Sequence, residues 1–340
     1  MDEESLLAAG YNKEEDATEA SLRPRYLADF QGQSELKKNL SIFIRAARER
    51  KESLDHVFLS GPPGLGKTTL AGIMANELAV EFKATAAPAL DKPKDLAGIL
   101  TTITEASVFF IDEIHRLKPA IEEMLYTAME DFEIDWVIGQ GPSARTLRIP
   151  IAPFTLIGAT TKAGRVSGPL HSRFGIPIRM DFYSVEEIEQ IIRRSAQILD
   201  VEVTESAGKK LAGCSRGTPR VANRLLRRMR DFAQVVGDGV IDDRVVLDGL
   251  RRLEIDAYGL ERHDREILKT IVDTYGGGPV GAETLAISIG EATETLEDFY
   301  EPYLIQRGFL KRTPRGRMVT ELTYSHLSGT KRNENQELLF

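Results

Sequence analysis

Residues 61–68 read Gly-Pro-Pro-Gly-Leu-Gly-Lys-Thr, which sets Gly61, Gly64 and Gly66 just ahead of a lysine and a hydroxyl. The stretch follows a short apolar run, Val57-Phe-Leu59, and precedes the helix-forming Leu70–Leu78. Glycines in that position let the backbone wrap an anion, so that loop N–H groups and the N-terminus of the next helix all face it. Lys67 can set its ammonium on the outer phosphates of a nucleotide. Thr68 can offer its hydroxyl to Mg²⁺, and Thr69 follows on the first helical turn. Nucleoside triphosphate binding is the chemistry this spacing predicts.

Four further sites bear on a phosphoryl group. Val108-Phe-Phe-Ile-Asp112-Glu113 is an apolar strand ending in two acids. Asp112 is suited to hold Mg²⁺, and Glu113 to orient or deprotonate an attacking water. Gly158-Ala-Thr160-Thr161 ends another apolar run, where a hydroxyl can lie near a γ-phosphate or simply cap a helix. In His171-Ser-Arg173-Phe174, Arg173 can stabilise charge on a transferring phosphoryl group, in trans if it faces a neighbour's nucleotide, or form a plain surface ion pair. Arg216-Gly-Thr-Pro219-Arg220 puts proline in a first helical turn and leaves Arg220 able to reach back to the phosphates.

The elements that must position these groups are legible in outline. From about residue 23 to 181 short apolar strands alternate with helical stretches, the pattern of a parallel α/β sheet. Ser184-Val-Glu-Glu187 is a capping box that opens an all-α module running to about residue 255. A third module starts near Asp256: a helix through Ile267–Val272 stopped at Gly276-Gly-Gly-Pro279, a short helix at 282–286, a longer one at 293–306, and a hairpin turning at Pro314-Arg-Gly316. Three helices and a hairpin describe a winged helix. The chain of 340 residues is therefore expected to divide as an acidic disordered leader (1–20), a large α/β domain (21–183), a helical lid (184–255), a winged-helix domain (256–330) and a tail (331–340).

Composition bounds the reading. With 42% hydrophobic and 28% charged residues the chain is an ordinary globular one, and no apolar run reaches the ~18 residues of a membrane span. Cys214 is the single cysteine and the five histidines are scattered, which gives no disulfide and no zinc spacing and fits a reducing, cytoplasmic setting. The net charge of −8 is misleading as a whole: residues 1–20 carry seven acids and one lysine, so the rest of the chain holds only −2. Basic residues clump at Ser206–Arg230, with eight and no acid, and at Arg307–Arg317, with five and no acid. A nucleic-acid partner is thus compatible with the acidic total.

Two hairpins stand out. Phe132, Ile134, Trp136 and Ile138 alternate, Gly139-Gln-Gly-Pro142 turns, and Leu147, Ile149 and Ile151 alternate again. This hairpin, about 132–151, either packs home on its domain or leaves apolar residues out as a partner patch. The second is the wing, where Lys311, Arg312, Arg315 and Arg317 surround a tight turn that can meet DNA phosphates without reading bases, or be merely a solvated turn. Ser206–Arg230 can meet DNA, a neighbouring subunit or acids of its own chain.

These motifs in this order resemble the AAA+ ATPases, and more narrowly the RuvB family, the bacterial motors of Holliday-junction branch migration. Leu22-Arg-Pro24, Tyr26–Gln33, Gly61–Thr69, Asp112–Arg116, Leu156–Thr161, Arg173-Phe-Gly175, Gly217–Arg224 and Thr313–Arg317 carry the resemblance, which spans about residues 21–330. It implies that Leu22 and Arg23 lie on the adenine side, that Gly64, Lys67, Thr68 and Thr69 hold the phosphates and Mg²⁺ of ATP, and that Asp112 and Glu113 are the Walker B pair. Thr161 would be sensor 1, Arg173 an arginine finger acting on the adjacent subunit, and Arg220 sensor 2. Tyr183 and Glu130-Asp131-Phe132 would lie by the nucleotide, and Arg312 and Arg317 would contact DNA. The resemblance also implies a hexameric ring on duplex DNA and four-way junctions, docked through the 132–151 hairpin on RuvA. No nuclease site is evident in the sequence, so a separate protein is expected to resolve the junction. Two other readings remain: an AAA+ clamp or helicase loader, and a nucleotide-switched DNA-binding regulator that scarcely turns over.

Overall fold

In a computed structural model the described residues are 21–138 and 145–327. The expected leader (1–20), the turn at Gly139–Pro142 and the tail (331–340) lie outside them. The chain divides into two compact units, Met1–Ile198 with Thr218–Asn223, and Leu199–Gly217 with Arg224–Phe340.

The first unit is built on a parallel five-stranded sheet in the order β2-β3-β6-β1-β7, from β1 (Val57–Ser60), β2 (Phe82–Ala86), β3 (Val108–Asp112), β6 (Thr155–Thr160) and β7 (Ile176–Arg179). The apolar runs form its buried centre: β1 is buried along its first three residues, β3 along its first four, and all of β6 is buried. Register decides function here. Ser60 pairs with Thr160 and Ile111 with Gly158, so the C-terminal ends of β1, β3 and β6 lie side by side. The glycine loop, Asp112-Glu113 and Thr161 therefore emerge at one sheet edge, where open α/β sheets bind ligands. Helices Lys67–Leu78 and Pro119–Glu130 follow from this edge, the second burying Ile121, Leu125, Ala128 and Met129.

The inserted hairpin forms as expected, β4 (Glu133–Ile138) against β5 (Arg145–Pro150). Ile134 is buried and Trp136 and Ile149 are half-buried against the domain core, whereas Leu147 stands exposed. The hairpin is thus packed on its domain through Ile134, Trp136 and Ile149, with Leu147 left outside. The capping box is present: Ser184 N–H donates to Glu187 Oε2 at 2.9 Å and Glu187 N–H to Ser184 Oγ at 3.2 Å. It opens helix Val185–Ile198.

The second unit holds helices Glu205–Cys214 and Asp243–Arg252, most of Pro219–Val236, and the winged helix. Two short strands, β8 (Glu202–Val203) and β9 (Val240–Ile241), pair in a region expected to be wholly helical. In the winged helix, Arg262–Tyr275 and Ala282–Ile289 precede the wing, β10 (Leu310–Thr313) against β11 (Gly316–Val319). The expected single helix 293–306 is interrupted. Thr293–Thr295 runs into a wide π turn, Leu296–Tyr300, before Glu301–Gln306. Pro302 explains the break, since it lacks an N–H and crowds the preceding turn.

Candidate functional site

One cleft of the first unit is lined by Leu22, Arg23, Gly64, Gly66, Lys67, Thr68, Thr69, Asp112, Glu113, Thr161, Tyr183 and Arg220. Twelve of the residues singled out in the sequence thus meet around one space. Gly64 and Gly66 sit at φ 80° and 97°, left-handed values that favour glycine. A Cβ at Gly64 would come within 3.3 Å of the Arg220 Cβ, so the loop and the arginine approach closely. Arg220 N–H also donates to Gly64 O at 3.3 Å, and Tyr183 Oη donates to Leu65 O at 3.1 Å.

Lys67 is buried, with Nζ donating to Gly61 O at 2.7 Å and Pro62 O at 2.9 Å. Burial lowers its pKa, against the pull of the Glu113 and Asp112 carboxylates. An ammonium held by loop carbonyls at the head of a helix, with Arg220 facing it, is a donor set matched to a polyanion. Burial raises the pKa of Asp112, whose Oδ1 accepts Glu113 N–H at 3.0 Å. Among the described residues no group of three or more His, Cys, Asp or Glu could hold a metal ion. A divalent ion here would take Asp112, Thr68 and oxygens of the nucleotide and water, the usual habit of Mg²⁺.

Glu113 lies at φ 49°, ψ 47°, an uncommon backbone for a residue with a Cβ, of the kind that clusters at active sites. The turn aims its carboxylate at Thr161, whose Oγ lies 3.2 and 3.0 Å from the two carboxylate oxygens and whose N–H donates to Oε2 at 3.2 Å. The hydroxyl of Thr161 thus faces the acid, while Thr160 Oγ1 accepts Lys162 N–H at 2.9 Å.

Arg173, Glu130, Asp131 and Phe132 do not line this cleft. Arg173 Nη2 donates to Glu130 Oε2 at 3.1 Å and its Cζ lies 4.3 Å from the Tyr126 ring centroid. Its neighbours His171 and Phe174 both pack on Phe58 of β1, with ring centroids 4.9 and 5.3 Å away.

In the second unit the wing arginines are tied to acids. Arg312 pairs with Glu301 Oε2 at 2.6 Å, and Arg317 Nε with Glu301 Oε1 at 2.7 Å; Arg317 also bonds Glu297. Arg315 is exposed near the tip. Much of the 206–230 basic stretch meets its own chain: Arg216 bonds Asp264, Arg224 bonds Glu261, Arg228 bonds Asp231 and Lys210 bonds Asp243.

Three family models tile the chain: "Holliday junction DNA helicase RuvB P-loop domain" at residues 22–180, "RuvB AAA lid domain" at 183–256 and "RuvB C-terminal winged helix domain" at 257–328. The chain belongs to the RuvB family. A Treponema denticola protein named Holliday junction branch migration complex subunit RuvB is 69% identical over 96% of this chain and 95% of its own length. A Borreliella burgdorferi protein of the same name is 57% identical over 99% of this chain and 98% of its own length. A solved Thermotoga maritima structure, described as the RuvB Holliday junction branch migration motor, matches with a TM-score of 0.84 at 51% identity, covering 91% of this chain and 99% of that one. The fold is accordingly that of a RuvB P-loop domain, AAA lid and winged helix.

Two residues of this RuvB-family chain, Arg194 and His115, had no role assigned from sequence. Arg194 lines the cleft and its Nη1 donates to Leu22 O at 2.8 Å, fixing the strand of chain expected beside the base. His115 Nδ1 lies 2.8 Å from Thr160 Oγ and 3.2 Å from Glu113 Oε2, and burial lowers its pKa. Its place directly after Asp112-Glu113-Ile was a signal. Arg194 had none, being one polar position among many on its helix. No helix among the described residues is long and apolar enough to cross a membrane.

Proposed function

We propose that this chain is an ATP-driven DNA translocase that moves the branch point of Holliday junctions in recombination and repair, as a subunit of a branch-migration complex. The observation that carries the reading is the Thr161–Glu113 contact beside Lys67, in a chain whose family matches run from P-loop domain to winged helix without a missing module. A nucleotide site without turnover has no use for an acid aimed in this way; a hydrolase does.

The roles follow. Leu22 and Arg23 flank the base, with Tyr183 closing the cleft. Gly64, Gly66, Lys67, Thr68 and Thr69 hold the phosphates of ATP, and Thr68 and Asp112 hold Mg²⁺, which supplies charge neutralisation on the phosphate oxygens when bound. Glu113 takes the proton of the attacking water, and Thr161 fixes the carboxylate that does so. Lys67 and Arg220 balance the charge that develops on the phosphoryl group. Arg173, bonded to Glu130, completes the site of the adjacent subunit. Arg312, Arg315 and Arg317 meet DNA phosphates, so that movement is independent of sequence.

The working divisions are a leader (1–20), ATPase domain (21–183), lid (184–255), winged-helix head (256–330) and tail (331–340). The protein works in the bacterial cytoplasm as a hexameric ring on duplex DNA. The 132–151 hairpin docks on RuvA, and a separate resolvase cuts the junction.

The test is ATP- and Mg²⁺-dependent dissociation of a synthetic four-way junction by the purified chain with and without its cognate RuvA. Dissociation that needs RuvA and is lost in Glu113→Gln supports the motor. DNA-stimulated hydrolysis with no junction movement under either condition overturns it.

A further inference from the structure

We propose that Tyr126 and Glu130 are positioning residues that aim Arg173 at the neighbouring subunit's nucleotide. The inference rests on the trans reading of Arg173 given above. Tyr126 and Glu130 stand four residues apart on helix Pro119–Glu130 and so share a face. The Arg173 guanidinium lies 4.3 Å above the Tyr126 ring. One edge donates from Nη2 to Glu130 Oε2 at 3.1 Å, and the other from Nη1 to Pro169 O at 2.7 Å.

The ring is itself fixed. Tyr126 Oη donates to Glu122 Oε1 at 2.6 Å and lies 3.3 Å from Ser167 Oγ, and the Ser167 hydroxyl also bonds Glu122. Ser167 in turn accepts Leu170 N–H at 3.3 Å, capping the turn that precedes Arg173. The plane of one guanidinium is thus held by a ring face, a carboxylate and a carbonyl, and the ring is itself anchored by Glu122 and Ser167.

A surface ion pair needs none of this. A lone contact to an exposed carboxylate leaves a long side chain loosely held. Stacking on an aromatic face adds orientation to attraction, because a guanidinium is planar and keeps its remaining edges free. Arg173 Nε is moreover buried without a hydrogen-bond partner, so the seat does not maximise the arginine's own bonding. What it fixes is direction. A group that must stabilise a transition state gains most from being placed before the reaction begins.

The experiment measures DNA-stimulated ATP hydrolysis by the full chain as Tyr126→Leu, Tyr126→Phe, Glu130→Gln and Arg173→Ala, each alone and mixed with Lys67→Ala. Tyr126→Leu should lose about tenfold in kcat with KM for ATP little changed, and Tyr126→Phe, which keeps the ring face, should stay within about twofold. Glu130→Gln should lose about threefold. Lys67→Ala protomers have no working site but carry an intact, seated Arg173. Mixing them with Tyr126→Leu should therefore restore turnover at mixed interfaces, which a general folding defect or a damaged cleft of Tyr126→Leu would not allow. If Arg173→Ala is not rescued by the same mixing, the trans reading has failed and takes this inference with it. If Arg173→Ala is rescued and Tyr126→Leu is not, the seat alone is overturned. Full kcat in Tyr126→Leu overturns it as well.

Discussion

Arg312 and Arg317 are register partners across the wing, and one carboxylate, Glu301, lies between them. Like charges directly opposite on an antiparallel pair repel. Here Glu301, whose side chain is 0% exposed, accepts from both and removes the conflict. The two arginines are not equivalent, since the Arg312 side chain is 50% exposed and that of Arg317 only 13%.

Arg317→Ala should therefore act first on stability. It strips a buried carboxylate of its less exposed partner, a change that costs about 3 kcal/mol. Arg312→Ala should cost under about 1 kcal/mol and flatten the salt dependence of DNA binding by about one unit of slope, alike on all sequences. Denaturant melts and binding titrations against salt check both. A base-selective loss in Arg312→Ala would count against phosphate contact.

Thr161→Val removes the hydroxyl that faces both oxygens of Glu113 while keeping the side-chain shape. Nucleotide binding should persist and kcat should fall by about 10²-fold, the lower end of what a displaced general base loses. Equal losses in binding and turnover would mean that Thr161 holds the nucleotide and not the acid.

His56 gives the fold a dependence on pH. Its Nδ1 accepts Leu156 N–H at 2.9 Å, and Nε2 lies 3.1 Å from Met129 O, so the neutral ring joins β6 to the end of helix Pro119–Glu130. Burial lowers its pKa below the usual 6.5. The unfolded chain then binds the proton more readily, so this stability is present above pH about 6.5 and is lost as pH falls through the folded value. The melting temperature should drop on acidification from pH 7 to 5, and His56→Gln should flatten that part of the curve.

Cys214 should be unreactive in the native state. It is buried, its Sγ lies 3.4 Å from Asp256 O, and burial pushes its pKa up to about 11. At pH 8 only about one thiol in a thousand is ionised. Labelling by a thiol reagent should follow unfolding and not the thiolate fraction. A raised acid pKa also means that this contribution to stability is lost as pH rises through 9 to 11.

What could be read in the sequence was what lies close along the chain. The glycine loop between Leu59 and Leu70, the acids closing β3 and the Ser184–Glu187 box are each complete within a dozen residues, and all three stand where spacing put them. Glu301 was not legible, because its meaning depends on Arg312 and Arg317, which come after a π turn that periodicity alone does not announce. Arg194 and Leu22 are separated by 172 positions, and their bond depends on the fold, not on either residue's surroundings in sequence. Glu130 had a family match but no evident chemistry until Arg173 was found beside it.

Phe58 has a consequence of its own. It belongs to the strand that feeds the glycine loop, and it packs against both His171 and Phe174, the residues that bracket Arg173. Close-packed rings do not slide freely past one another. Any shift of β1 would carry the mounting of Arg173 with it. If Arg173 acts in trans as proposed, the occupancy of a subunit's own cleft and the aim of that arginine are therefore mechanically linked through Phe58.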